Sequence, residues 1–320
     1  MYSWLTGKPD SVEQRITVLD AIIRMNANLL RTCLSCVSLC LPCISNSSTN
    51  VDICEEPTAE SHLSIAYYKI ETASLERNLG ETNGENYSTD LLFKPNNNWI
   101  LGGGYRGVIL NVDRLELQTN GYLHTFFFPV HWLRQSDKKS FRFSIAPALS
   151  ASSNVVTDSN EYTADALQLL AAFVWDRQIS DRLGLRYGVC GDHRFGEYQV
   201  YPVISVHWQR NPDWMIEFGF PTSQVSYQMT EHLTTLLRFA PNGNEWYVKD
   251  KSLEKHSQLV YEAYALEWAF NWRAHKHFML TASVGSEFHR RYEMTLLDEN
   301  RVRLSNDPAA RIGVVLVWFF

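Results

Sequence analysis

The feature that most constrains the fold is a two-residue alternation of side-chain character along extended segments. Between residues 263 and 272, large apolar side chains occupy every second position, and small, polar or acidic side chains fill the positions between them. Residues 183–194 and 278–291 alternate in a similar way. Successive side chains of a β-strand point to opposite faces, so this pattern predicts strands with one large apolar face and one small or polar face.

The length of these segments favours a membrane barrel over a soluble β-sandwich. Several exceed the roughly 5–6 residues of an average strand and reach the roughly 9–11 residues with which a tilted strand crosses a bilayer. A secreted soluble β protein is the alternative interpretation. Tryptophans also stand near the turns, as in the aromatic girdles of membrane barrels; these are Trp99, Trp132, Trp175, Trp208, Trp214, Trp272 and Trp318.

The connections between the segments alternate between tight polar turns and longer loops. If the chain has 14 strands, all the tight turns and both chain ends of the barrel fall on the same side of the membrane. Outer-membrane barrels have this arrangement, with short turns on the periplasmic side and longer loops on the outer side. The sequence therefore predicts an all-β fold: an antiparallel up-and-down transmembrane β-barrel of about 14 strands over residues 61–320, with 12 strands as the alternative. The predicted tight turns are residues 95–98, 134–139, 176–182, 210–213, 230–232 and 274–277.

A signal segment is predicted before the barrel. Arg24 and Arg31 precede an apolar stretch over residues 32–44, and small residues follow it, which is the layout of a secretory signal peptide. Signal peptides begin close to their charged end, so Met25 fits the start of translation better than the first residue. We expect residues 1–47 to be a signal segment with a mis-assigned start, and residues 48–60 to be a short linker.

Five of the six cysteines lie within residues 33–54. From Cys33 to Cys43 four of them follow a C-x2-C-x3-C-x2-C spacing, which occurs in zinc and iron–sulfur sites. Leucine, valine and serine dominate between them and no histidine accompanies them, so we interpret them as part of the export signal and expect no metal. Cys54 and Cys190 would remain after cleavage, too few for a disulfide framework.

The C-terminal segment carries the clearest alternation. Counting back from the end, every second residue is apolar: Phe320, Trp318, Leu316, Val314 and Ile312. A closed barrel needs a well-patterned last strand to pair with its first. A terminal phenylalanine on such a strand resembles the signal by which outer-membrane barrels are recognised for assembly, so we expect these five residues to be the barrel-assembly signal.

Charged residues on the polar faces are expected to line the lumen, because a charge that faces lipid is costly. Arg238 and Glu267 fall at similar heights on neighbouring strands, which predicts a contact between them. Such charges either fill and rigidify the lumen or form a selectivity constriction, and both interpretations stay open. The lumen-lining candidates are Arg142, Arg186, Glu217, Arg238, Glu267, Glu287 and Arg291.

No sequence motif points to catalysis or to a bound cofactor. The G-x-S-x-G, H-E-x-x-H, P-loop and EF-hand patterns are absent. We therefore expect no catalytic, cofactor-binding or metal-binding residue, with a barrel-embedded hydrolase as the alternative. The net charge of −6 provides no basic surface to neutralise phosphates, which argues against a nucleic-acid partner.

Five segments in the last 120 residues or so carry a family resemblance: residues 202–208, 211–221, 225–229, 243–248 and 284–294. They resemble a family of bacterial outer-membrane β-barrels that is catalogued only as a domain of unknown function. The resemblance implies a barrel in the outer membrane, and it implies no activity, substrate or catalytic residue. With the C-terminal signal, we expect a Gram-negative outer membrane, with its lipid and the barrel-assembly machinery as partners, and the oligomeric state stays open.

These observations together predict an outer-membrane barrel that serves as a passive pore for small solutes. A barrel without transport, with a structural or surface-interaction role, is the alternative.

Overall fold

The computed structural model describes residues 53–58, 60–75, 80–112, 122–158, 163–250, 255–295 and 301–320. The predicted signal segment, residues 1–47, lies outside the described residues. Among the residues that are described, no helix has the length and apolar character to cross a membrane.

Almost all of the described chain is β-structure. One short helix, α1 (Ser153–Val156), and one 3-10 turn (Ala164–Ala166) lie between strands. The strands are β1 (His62–Ser74), β2 (Glu81–Asn96), β3 (Trp99–Val112), β4 (Tyr122–Phe127), β5 (Val130–Ser136), β6 (Lys139–Ser152), β7 (Leu167–Ser180), β8 (Leu183–Asp192), β9 (Gln199–Asn211), β10 (Trp214–Phe220), β11 (Ser223–Thr230), β12 (Leu233–Pro241), β13 (Asn244–Asp250), β14 (Lys255–His275), β15 (Phe278–Thr295), β16 (Arg301–Asn306) and β17 (Ala309–Phe319).

The strands form one closed antiparallel barrel. Most strands pair with the next strand in sequence, whereas β4 and β5 lie end to end between β3 and β6, and β12/β13 and β16/β17 lie end to end along β14 and β15. β1 closes the sheet on β17 with His62 opposite Phe319 and Ile70 opposite Arg311. Three strands are interrupted near a proline, at Pro129, Pro241 and Pro308, since proline has no N–H to donate to the ladder. With β4/β5, β12/β13 and β16/β17 each counted once, the described residues form 14 strands, as predicted.

The tight turns lie where the sequence places them. Two-residue turns at 97–98, 137–138, 181–182, 212–213, 231–232 and 276–277 all lie at one end of the barrel, which we call the tight-turn end. The opposite end is the long-loop end. At the long-loop end, the short strand β16 precedes β17 and extends the pairing of β15.

The exterior of the barrel is apolar. Along β17 the buried and exposed positions alternate without a break, and Ile312, Val314, Leu316 and Trp318 are exposed while Val315 and Val317 are buried. Aromatic rings pack against each other near the tight-turn end, with Phe141 and Trp175 at 5.0 Å between centroids. An apolar band with an aromatic rim on a closed barrel is the lipid-facing surface of an outer-membrane protein, so the soluble β protein is ruled out and the outer membrane is the location.

The long-loop end is narrowed by β13. This strand continues the pairing of β12 along β14, and it also contacts β6 in parallel through Tyr247 and Ala151. Three successive side chains, Trp246, Tyr247 and Val248, are buried, which shows that both faces of β13 are covered. An apolar cluster around Trp246 and Val248 therefore fills part of the lumen at this end.

Candidate functional site: the barrel lumen

The polar positions of the strands bring charged side chains into the lumen. Arg186 on β8 contacts three carboxylates: its Nε lies 2.7 Å from Asp176, its Nη1 lies 3.2 Å from Glu217, and its Nη2 lies 2.7 Å from Glu56. The Glu217 carboxylate also accepts hydrogen bonds from Ser205 at 3.0 Å and from Gln224 at 2.8 Å. This network ties β7, β8 and β10 to the residues that precede the barrel.

Arg142 is buried nearby on β6. Its Nη2 donates a 2.8 Å hydrogen bond to the backbone carbonyl of Cys54. Its Nη1 has no hydrogen-bond partner among the residues that the structure describes. The buried guanidinium of Arg142 thus binds the N-terminal segment through Nη2, and its Nη1 can donate to a further acceptor.

Arg238 and Glu267 stand directly opposite each other in the register of β12 and β14. The ion pair of Arg238 is made with Glu55, which also accepts a 2.8 Å hydrogen bond from Thr222. Glu267 lies 3.9 Å from Arg311 on β17. The expected proximity of Arg238 and Glu267 is thus present in the register, while each side chain also has a charged neighbour that the sequence did not indicate.

Glu287 is the most enclosed acid of the candidates. Its carboxylate accepts hydrogen bonds from Tyr261 and, at 2.7 Å, from Asn242, and lies 3.3 Å from Arg311 and 3.9 Å from Arg290. Arg311 was missed in the sequence, although it shares the inward parity of Val315 and Val317.

The prediction that Arg291 lines the lumen is wrong, because its side chain faces outward. At Phe288–Arg290 the pairing with β14 shifts by one residue, and His289 has a positive φ of 53°. This bulge turns the fully buried Arg290 into the lumen and places Arg291 beside Glu262 on the outer face. An extra residue in one strand reverses the facing of every side chain beyond it.

The N-terminal segment, residues 53–58, lies inside the barrel. A disulfide joins Cys54 to Cys190 on β8, with 5.8 Å between their Cα atoms. Ile53 and Cys54 pack in an apolar cluster with Tyr201 and Val203 of β9. The sequence predicts a short linker here and too few cysteines for a disulfide framework. In the structure, a single disulfide nevertheless anchors the segment to the wall.

The connection between β8 and β9 is a second polar segment in the lumen. Residues 193–198 connect β8 to β9, and Arg194 there lies 3.0 Å from Asp192 and 3.9 Å from Glu55. Burial lowers the pKa of Arg194 to about 10, so its guanidinium stays protonated at neutral pH. The N-terminal segment is therefore surrounded by cationic side chains.

The N-terminal segment contributes side chains to two cavities. One, of about 230 Å³, opens among the turns of the tight-turn end and is lined by Glu56, Lys139, Arg186 and His207. The other, of about 130 Å³, lies deeper and is lined by Ile53 together with Arg106, Arg194, Arg238, Glu267 and Arg311. The same short segment contributes to both walls.

Known structures resemble the chain at low identity. An outer membrane channel from Pseudomonas putida F1 is 9% identical, with 85% of this chain and 99% of that chain covered and a TM-score of 0.46. A bacterial polysaccharide outer membrane secretin is 12% identical over 82% and 98%, with a TM-score of 0.38. The KdgM porin in complex with disordered oligogalacturonate is 8% identical over 80% and 99%, with a TM-score of 0.36. At these levels the function has to be inferred from the chain's own residues.

No curated protein matches the chain. A family model does match, over residues 134–299, and so extends the similarity upstream of the segments noted in the sequence. Since this match covers just over half of the 320 residues, the chain belongs to the family described as Domain of unknown function (DUF6268).

Proposed function

We propose that this protein is a passive pore for small solutes in the outer membrane, closed in this structure by its own N-terminal segment. The observation that carries the proposal is the place of residues 53–56 inside the barrel, where Ile53 lines the deeper cavity and Glu56 lines the cavity at the tight-turn end. Both cavities have charged side chains in their walls, and charged walls need water or counter-charges around them. Displacement of the segment would therefore enlarge a polar space in the lumen.

The contacts that hold the segment differ in strength. The Glu56 side chain is 69% exposed although it pairs with Arg186, and an exposed ion pair contributes about 0–1 kcal/mol. Glu55 is held more firmly, because its contacts with Arg238 and Thr222 are partly buried. The Cys54–Cys190 disulfide restrains the segment covalently, and Ile53 and Cys54 pack in an apolar cluster.

Swelling of proteoliposomes in L-arabinose tests the pore. The full chain should admit the sugar slowly, and the double variant Glu55→Gln/Glu56→Gln should admit it faster because the ion pairs of both carboxylates with the wall are lost. Glu262→Gln is the matched control, since Glu262 pairs with Arg291 on the outer face. Swelling no faster than that of protein-free liposomes, in all three proteins, would contradict a pore.

A barrel without transport is the second candidate. It is favoured by the disulfide-anchored segment and by β13, which fills the long-loop end with Trp246 and Val248. In such a barrel the lumen would be a rigid core and the loops would carry the function. The swelling experiment separates the two candidates.

We assign no enzymatic activity. A catalytic triad needs a carboxylate on the ring nitrogen opposite the serine. Three serine–histidine pairs occur in the described part of the chain: Ser144 with His131, Ser153 with His124, and Ser205 with His207.

None of these pairs has that arrangement. Nε2 of the buried His131 has no hydrogen-bond partner among the described residues, Nδ1 of His124 bonds the Tyr105 hydroxyl, and Glu217 approaches His207 at the same nitrogen as the serine.

A further inference from the structure

The carboxylate of Glu55 occupies a pocket built by other parts of the chain. Its Oε1 accepts hydrogen bonds from Arg238 Nη2 on β12 and, at 2.8 Å, from Thr222 Oγ1 between β10 and β11. Arg194 Nη1 approaches the same oxygen at 3.9 Å. Two guanidinium groups and a hydroxyl therefore converge on one carboxylate oxygen.

This convergence has the donor chemistry that binds a carboxylate. Hydrogen bonds between a guanidinium and a carboxylate are among the strongest in proteins. Buried donors that lose their acceptor destabilise the fold, and the cost is larger when the donors are charged. If Glu55 left, Arg238 and Thr222 would therefore favour any carboxylate that could take its place.

The space beside the pocket can hold the rest of a small ligand. Arg194 and Arg238 line the cavity of about 130 Å³, which Arg106 and Arg311 line as well. Leu236 and Ala240 add apolar surface to the same cavity. Asp192 and Glu267 line the cavity too, so four arginines face two carboxylates there. A short apolar chain with a carboxylate at each end would supply the further negative charge and contact the apolar surface.

We propose that Arg238, Arg194 and Thr222 form a binding site for small organic carboxylates, and that Glu55 occupies it as an intramolecular ligand. The proposal rests on the pore proposed above, because a solute reaches the site through the lumen, and it names the solute class. The Cys54–Cys190 disulfide keeps Glu55 beside the site, so a free carboxylate competes against a high effective concentration.

Calorimetric titration of the full chain in detergent micelles with glutarate tests the site. Glu55→Gln should bind glutarate about tenfold more tightly than the wild type or better, the effect expected when one charge-assisted hydrogen bond no longer competes. The variant Cys54→Ser/Glu55→Gln, in which the segment is untethered, should bind at least as tightly. The neutral diamide of glutaric acid should bind to none of them.

Second substitutions in the Glu55→Gln background locate the site. Arg238→Gln should abolish glutarate binding, and Thr222→Val, which keeps the side-chain shape and all charges, should weaken it. Arg291→Gln on the outer face is the matched control and should leave the affinity unchanged. Heat-modifiable gel mobility shows whether each variant is folded, and Thr222→Val keeps the test informative if Arg238→Gln does not fold.

The titration separates failure of the site from failure of the pore. The carboxylate site is overturned if neither Glu55→Gln nor Cys54→Ser/Glu55→Gln binds glutarate, or if Arg291→Gln weakens binding as much as Thr222→Val does. Binding without liposome swelling would remove the pore and keep the site, whereas swelling without binding would remove only the site.

Discussion

Cys54 and Cys190, 136 positions apart in the sequence, are joined by a disulfide inside the barrel. The bond brings the residues before the first strand to the inner face of β8 and fixes Glu55 and Glu56 among arginines of the wall. The residues that precede β1 therefore lie in the lumen rather than outside the barrel.

Loss of the disulfide should lower the stability of the folded barrel. A cross-link over a long loop typically contributes about 2–4 kcal/mol by restricting the unfolded chain. Cys54→Ser and Cys190→Ser should each reduce the free energy of unfolding by that amount, measured by urea titration of tryptophan fluorescence in lipid vesicles. Reductant should shift the wild type to the same midpoint and leave the variants unchanged; coincident midpoints for all proteins before reduction would argue against the bond.

The bulge in β15 predicts unequal roles for two adjacent arginines. Arg290 is fully buried near Glu287 and donates towards the Asp307 carbonyl at 3.4 Å, so Arg290→Gln should cost about 1–3 kcal/mol of unfolding free energy. Arg291 pairs with Glu262 while 31% exposed, so Arg291→Gln should cost less than about 1 kcal/mol. The same urea titrations measure the loss of unfolding free energy in both variants. If Arg291→Gln lost more than Arg290→Gln, then Arg291 would face the lumen, as the sequence alone predicts, and the bulge would be absent.

The lipid-facing side of the last strand can be probed at Val314, the central residue of β17. An arginine on the lipid face near the bilayer midplane costs about 2–4 kcal/mol, and Val314→Arg should lose that much stability in vesicles. Val314→Leu is the control and should behave like the wild type. If Val314→Arg were as stable as Val314→Leu, this face would not contact the hydrocarbon core.

The C-terminal assembly signal remains a prediction that cells can test. The backbone N–H of Phe320 donates to the Ser61 carbonyl at 3.1 Å, at the seam between the last strand and the first. Deletion of Phe320 should reduce the amount of heat-modifiable barrel in the outer-membrane fraction, while the purified chain should still refold in detergent. Phe320→Tyr keeps an aromatic end and should assemble normally. Equal amounts of folded barrel with and without Phe320 would remove the signal role.

The architecture could be predicted because it depends on local pattern. Alternation in β14 and β17 specifies which face meets lipid, and tight turns such as residues 231–232 specify which strands pair. Together they also predicted the height of Arg238 relative to Glu267. Each of these inferences uses only spacing along the chain.

The features that the sequence did not indicate depend on contacts between distant residues. The sequence around His289 does not indicate a bulge, because the residue with positive φ is not the glycine that usually marks one. The N-terminal segment has no periodicity, and its position follows from a bond to Cys190 and from arginines on several strands. Arg311 is different, because its inward parity was readable from the alternation of its own strand.

Single-channel recording in planar bilayers tests the central claim, that the N-terminal segment closes a pore, most directly. We expect small conductance steps for the full-length wild type and clearly larger steps for Cys54→Ser, in which the segment is no longer anchored to β8. Reductant should enlarge the wild-type steps and leave those of Cys54→Ser unchanged. Folded Cys54→Ser that conducts no better than the wild type, or not at all, would contradict a pore closed by the N-terminal segment.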